Sequence, residues 1–290
     1  MSTQNHQMSF EYIVTYKAEN NYENAVDNAA WQFLIVPETN DTQKLIKVDF
    51  ENSLNVKFEY STNGLGFQTI RVSPKQSFQN INFKGSFKLT KKSLNPFEHI
   101  PVFKIAENYE EIKSLGFKAD FEPYLRKTPY TSLPKEVEDI FKFDASESIF
   151  ENLQQLNHWV YLYINFKTGV TNVDTKLEEV LKNKEGVCQD FAHLFCALAR
   201  ANGIPTRYVS GYLHQGIGYF GDSQMHAWAE CFIPEAGWIG FDPTNDLLVN
   251  DNHIKVAHGK DYNDCSPLKG VVYALGKNET IHSVEVQSQQ

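Results

Sequence analysis

Gly186-Val187-Cys188-Gln189-Asp190-Phe191-Ala192-His193 is the stretch on which the reading of this chain turns. A glycine lets the backbone turn sharply, and a cysteine follows where an apolar, strongly helical run begins. Phe191, Leu194, Phe195, Leu198 and Ala199 recur at helical spacing, and the run stops at Asn202-Gly203 with Pro205 just beyond. Cys188 is thereby placed in the first turn of a buried helix. There the partial positive charge of the helix N-terminus favours thiolate over thiol, which a nucleophile needs and a structural cysteine does not.

Such a nucleophile needs a base, and the chain downstream supplies one. His226 to Ile233 reads as a strand, Pro234-Glu235-Ala236-Gly237 as a turn, and Trp238 to Asp242 as a second strand closed by Pro243. A hairpin folded there sets the start of the first strand beside the end of the second, and those two ends are His226 and Asp242. Both have even parity from the turn, so on a regular ladder their side chains share a face. A carboxylate can then hold one imidazole nitrogen and leave the other for the thiol. A lone strand-end histidine is commonly a surface residue, and an aspartate before proline commonly a turn residue. The argument rests on finding them in register with each other. Cys196, Cys231 and Cys265 read as core cysteines. His193 stands five residues after Cys188, about 140° around the helix, and reads as a core hydrogen-bonding residue rather than the partner.

Working outward, residues 1–92 read as an antiparallel β module. Its strand-like runs are Phe10–Tyr16, Trp31–Val36, Lys44–Phe50, Phe67–Val72 and Ile81–Leu89, with Asn63-Gly64 and Ser73-Pro74 as turns. Residues 93–145 are a proline-punctuated connector with one short helix over Tyr109–Leu115. Residues 146–290 form an α+β core. It opens with a helix over Glu147–Phe166 capped by Ser148 and Glu151, and a second over Lys176–Lys184 capped by Thr175 and Glu178. Further strands are expected at Arg207–Leu213, Ile254–His258, Val271–Leu275 and Thr280–Val286. The loop Gly211–Gly218, with His214, reads as a turn, because no helix follows its glycines to make a phosphate site.

Composition narrows the function classes. The chain has 290 residues and a net charge of −9, with no basic cluster, which argues against nucleic acid or an anionic membrane as partner. No apolar leader is visible in Met1 to Phe10, and no run reaches membrane-spanning length. The four cysteines show no CxxC pair and no metal-ligand spacing, so a reducing, cytoplasmic setting and no metal or cofactor are expected. Asp246, Asp251 and Asp261 are too scattered for a calcium loop.

The segments 186–213 (GVCQDFAHLFCALARANGIPTRYVSGYL), 226–245 (HAWAECFIPEAGWIGFDPTN) and 253–273 (HIKVAHGKDYNDCSPLKGVVY) resemble the bacterial transglutaminase-like family. The resemblance implies a papain-like, or transglutaminase, α+β core, and the β-rich residues 8–92 are similar to a module that accompanies it in many bacterial members. It also implies Cys188 as nucleophile, His226 as general base and acid, and Asp242 as the residue orienting the histidine. Trp228, Gly240, Asp261 and Tyr262 resemble positions that shape the cleft. The Cys188 N–H is one oxyanion donor, and the Tyr163–Thr168 segment is where a second is expected. The triad specifies a thioester acyl-enzyme formed on a peptide or protein amide. Water would resolve it in a cysteine protease or amidase, the favoured reading. An amine would resolve it in a transglutaminase or other acyltransferase, and a non-catalytic binding module is the alternative of another class. Oligomeric state is left open.

Overall fold

The computed structural model describes residues 9–93, 95, 97, 105–214 and 224–289. Half of the Gly211–Gly218 turn, residues 215–218, and the first eight residues therefore lie outside the described residues.

The N-terminal half contributes β1 (Ser9–Val26), β2 (Asn28–Phe33), β3 (Gln43–Asn52), β4 (Phe58–Thr62), β5 (Gln68–Val72) and β6 (Phe78–Lys92). Strand β1 is built on period-two alternation: Tyr12, Val14, Tyr16, Ala18 and Asn20 point inward and are buried. It runs ten residues past Tyr16, to Val26, through polar sequence with no strand signal of its own, because its neighbours supply the ladder. Strand β4 carries no fully buried residue, which is why periodicity passes over it; it forms a sheet edge. Aromatic rings fill the space between the sheets: Phe33 lies 4.7 Å from Phe83 and 5.4 Å from Phe50, and Trp31 lies 5.3 Å from Phe83.

The connector is more regular than its prolines suggest, with α1 (Ile105–Lys113), α2 (Leu115–Asp120) and α3 (Glu122–Leu125). These pack on the turn end of the hairpin spanning residues 226–242, Phe121 lying 4.2 Å from Phe232 and Tyr124 5.2 Å from Trp238. Beyond it come α4 (Ile149–Tyr163), β7 (Asn165–Phe166), α5 (Leu177–Asn183), β8 (Glu185–Gly186) and α6 (Cys188–Ala201). The α4 capping box forms as read, Ser148 Oγ accepting from the Glu151 N–H at 3.2 Å while Glu151 accepts from the Ser148 N–H at 2.9 Å. The box expected at Thr175 does not. Helix α5 starts one residue later, on Lys176, because the Thr175 hydroxyl accepts from the Asn172 N–H in the preceding turn.

A five-stranded sheet follows, made of β9 (Thr206–Leu213), β10 (His226–Ile233), β11 (Gly237–Asp242), β12 (Leu247–Leu248) and β13 (His253–Gly259), in the order β12-β11-β10-β9-β13. Helix α6 packs on it through Phe195, whose ring stacks 5.5 Å from Phe241. The chain ends with α7 (Tyr262–Cys265), β14 (Leu268–Tyr273) and β15 (Asn278–Gln289). The last two strands, grouped by sequence with the core, pair with the N-terminal half: β15 lies beside β1 and β14 beside β2, giving sheets β15-β1-β6-β3 and β14-β2-β5-β4. The chain thus leaves the sandwich, builds the α+β core and returns to complete both sandwich sheets.

The two halves are joined by buried polar contacts. Gln43 on β3 donates to the Lys255 carbonyl at 2.7 Å and accepts from its N–H at 2.9 Å. Tyr212 Oη donates to the Ile35 carbonyl at 2.6 Å, and Lys91 on β6 donates to the His253 carbonyl.

Candidate active site

The helix α6 starts where the sequence indicated, with a different role for the glycine before it. Gly186 sits in β8 without a left-handed backbone. What requires glycine is space, since a Cβ there would lie 2.7 Å from Asp190 Oδ2. Asp190 folds back over that gap to accept from the Val187 N–H at 2.8 Å and from Thr171 Oγ1 at 2.7 Å, tying the helix start to the 171–173 loop. Cys188 occupies the first helical position, where backbone N–H groups have no intrahelical acceptor. It is partly exposed and lines a cleft of about 700 Å³. Cys196, Cys231 and Cys265 are fully buried, and burial raises all three thiols, Cys196 to about 11.

Strand β10 pairs with β11 so that Ala229 faces Phe241 and Ile233 faces Gly237. Continued along the ladder, that register sets Asp242 opposite Trp228, so His226 is its same-face diagonal neighbour. His226 Nε2 and Asp242 Oδ2 are 2.8 Å apart, with both side chains fully buried. A carboxylate only accepts, so Nε2 carries the proton and Nδ1 is the basic nitrogen. Nδ1 is buried and has no partner. Burial alone would lower the His226 pKa. The Asp242 charge and hydrogen bond, with hydrogen-bonding and charge contributions from Cys188, outweigh it and raise the value above the ordinary one. The thiol is thus near the imidazole without a hydrogen bond of good geometry to Nδ1.

Asp242 is held from several sides. Its Oδ1 accepts from the Thr244 N–H at 3.0 Å; its Oδ2 accepts from Asn245 Nδ2 at 2.8 Å and from His253 Nε2 at 3.2 Å. Burial opposes its charge, but His226 and His253 win, and the carboxyl stays well below its usual range. His253 Nε2 faces the Asp242 carboxylate, which only accepts, so Nε2 carries a proton, while Nδ1 lies 3.2 Å from both the backbone N and the Oδ1 of Asn250. Sequence reading missed His253 because it stands on β13, two strands from β10, where no local pairing brings it to the hairpin. His226, Asp242 and His253 also offer ligand atoms within 4.8 Å of one another, the group among the described residues that could close on a metal ion. Here those atoms serve one another as hydrogen-bond partners.

The remaining candidate positions separate. Tyr262 lines the cleft. Trp228 is buried, its ring lying over Gly211, where a Cβ would approach to 2.4 Å. Gly240 makes room for Val249, and Asp261 caps α7 by accepting from the Asn263 N–H at 2.8 Å. In the Tyr163–Thr168 segment, where a second oxyanion donor is expected, the Asn165 and Lys167 N–H groups are bonded to the carbonyls of Lys184 and Gly186, whereas Thr171, Asn172 and Gln189 line the cleft. His193 Nε2 accepts from the Tyr262 N–H at 3.2 Å, and burial lowers its pKa to about 3, a core role away from the sulfur.

Residues 138–243 match the family model of the transglutaminase-like superfamily. An uncharacterised protein of Mycobacterium tuberculosis is 38% identical over 169 residues, covering 53% of this chain and 54% of its own. The chain thus spans about half the length of the curated mycobacterial relatives it matches. A protein-glutamine gamma-glutamyltransferase of Pseudomonas aeruginosa is 33% identical over 98 residues, 32% of this chain and 14% of that protein. Among solved structures, "a Putative Cysteine Protease from Cytophaga hutchinsonii" superposes with a TM-score of 0.76 at 20% identity, covering 98% of this chain and 92% of its own. That likeness extends the shared fold through the β sandwich as well as the core. This chain carries a transglutaminase-like domain.

Proposed function

We propose that the protein is a cysteine-dependent hydrolase of peptide or protein amides, a cysteine protease or amidase. The observation that carries the reading is the unpartnered, buried Nδ1 of His226, whose Nε2 is held by Asp242 and whose neighbour is Cys188 at a helix start lining a cleft. Cys188 Sγ, having given its proton to Nδ1, attacks the substrate carbonyl carbon, and the Cys188 N–H receives the oxyanion. The tetrahedral intermediate collapses as the imidazolium donates its proton to the leaving nitrogen, releasing an amine and leaving a thioester. Water then gives a proton to Nδ1 and attacks the thioester carbonyl; the acid product departs, and the sulfur recovers its proton. Asp242 keeps its charge throughout and holds the ring in one orientation.

Partial exposure of Cys188 lets water reach the thioester and favours hydrolysis over amine transfer. Similarity to the Pseudomonas gamma-glutamyltransferase over 98 residues favours the second reading, in which a lysine amine takes the place of water. Four free cysteines suit a reducing compartment, and among the described residues no helix is long and apolar enough to cross a membrane. We also assign β14 and β15 to the β module, so that the core is an insertion between its strands. The experiment is to incubate peptide amides with the protein, with and without a fluorescent primary amine. Cleavage dependent on Cys188 without label incorporation supports hydrolysis; label incorporation that exceeds cleavage overturns it.

A further inference from the structure

The cleft at Cys188 has two unlike walls. One comes from the transglutaminase-like core: Cys188, His226, Gln189 and the 171–173 loop. The other comes from outside the family-matched segment: Tyr16 and Asn20 of β1, Trp31 of β2, and Asn278, Thr280 and His282 of β15. Although 22% of the chain is charged, no Asp, Glu, Lys or Arg lines this cleft among the described residues. Glu23, Lys277 and Glu279 appear only beyond Tyr22 and Asn278, at an outer end. The far wall is organised: Tyr16 Oη lies 2.9 Å from His282 Nδ1, and Thr280 Oγ1 donates to Asn20 Oδ1 at 2.8 Å.

We propose that the β-module wall selects the acyl donor, admitting a peptide segment whose side chains beside the scissile amide are electrically neutral and excluding acidic and basic ones. This rests on the reading of Cys188 as the nucleophile. Aromatic faces and side-chain amides give neutral groups apolar contact and hydrogen bonds together. A carboxylate or ammonium set against the β-module wall sheds water and meets no Asp, Glu, Lys or Arg there among the described residues. His282, its Nδ1 held against Tyr16 Oη, has its pKa lowered from the ordinary value by desolvation and does not offset this.

The test uses four blocked heptapeptide amides, identical except for Gln, Glu, Met or Lys on the acyl side of the central amide. Dissociation constants are measured by calorimetry on the Cys188→Ala protein, and turnover on the unaltered protein. The Gln and Met peptides should bind at least about tenfold more tightly than Glu and Lys, a difference of about 1.4 kcal/mol. Thr280→Lys in the Cys188→Ala background should narrow the Gln-over-Glu preference at least about fivefold and widen Met over Lys. Equal binding of charged and neutral peptides, no binding by any peptide, or an unmoved ratio in Thr280→Lys overturns the proposal. Neutral preference in binding without turnover contradicts the hydrolase reading and leaves the wall's selectivity supported.

Discussion

Among the buried ionisable side chains of strand β10, His226 and Glu230 stand four residues apart and sit in opposite kinds of environment. Glu230 Oε2 accepts from Arg207 Nε at 2.5 Å and from Lys255 Nζ at 2.7 Å, and the Arg207 guanidinium lies 4.1 Å over the Trp238 ring. None of the buried atoms of these three groups lacks a partner. Burial opposes the Glu230 charge, but Lys255 and Arg207 outweigh it and lower its pKa. His226 has one nitrogen equally well held and the other with no partner. A satisfied buried cluster fixes structure, whereas one with a single open valence beside a thiol is available for chemistry.

The largest effect expected from breaking this contrast is on the open side. His226→Gln should lower kcat by at least about 10³-fold, while costing only about 1 kcal/mol in stability because Gln can still donate to Asp242. Steady-state kinetics and denaturant melts on the same preparations check both halves. Glu230→Gln should behave inversely. Arg207 and Lys255 lose the counter-charge they share, Lys255 keeping only the longer pair with Glu38 at 3.7 Å, at a cost of about 3–5 kcal/mol, and kcat of the protein that remains folded should change less than about threefold.

His253→Ala lies between the two: Asp242 keeps its bonds to Asn245, Thr244 and His226 but loses one lateral support. The expected loss is about 10- to 100-fold in kcat, with KM little changed and the acid limb of the pH–rate profile displaced. The smallest effect is the pH dependence of stability, and its sign differs between the two residues. The folded His226 pKa is raised, so its contribution is complete below about pH 6.5 and is lost as pH rises through the folded value. The folded Glu230 pKa is lowered, so its contribution is complete above about pH 4.3 and is lost as pH falls. The melting-temperature gap between wild type and His226→Gln should therefore shrink toward pH 10, and that for Glu230→Gln toward pH 3.

Local pattern carried the core of this fold and the pairing of His226 with Asp242. The α6 helix, the 234–237 turn and the shared parity of His226 and Asp242 depend on periodicity within a few residues, and periodicity is written in the chain. Gly186 was legible as special, but its cause was not, because the Asp190 side chain that needs the space returns from a later turn of structure. His253, Lys91 and the β15 wall of the cleft were hidden for a different reason. Each reaches the site through pairing between strands far apart in sequence, such as Tyr16 with Val284 on β1 and β15. Polar stretches such as Asn20 to Glu23 and Asn278 to Thr280 carry no alternation that would announce them.

The central claim is that His226 activates Cys188, and iodoacetamide alkylation of Cys188 across pH 5–9, in wild type and His226→Gln, tests it most directly. The account predicts fast alkylation of the wild type at pH 6 that changes little up to pH 8. In His226→Gln the rate should be far lower at pH 6 and climb with pH as it does for an ordinary thiol. Superimposable curves for the two proteins would contradict it.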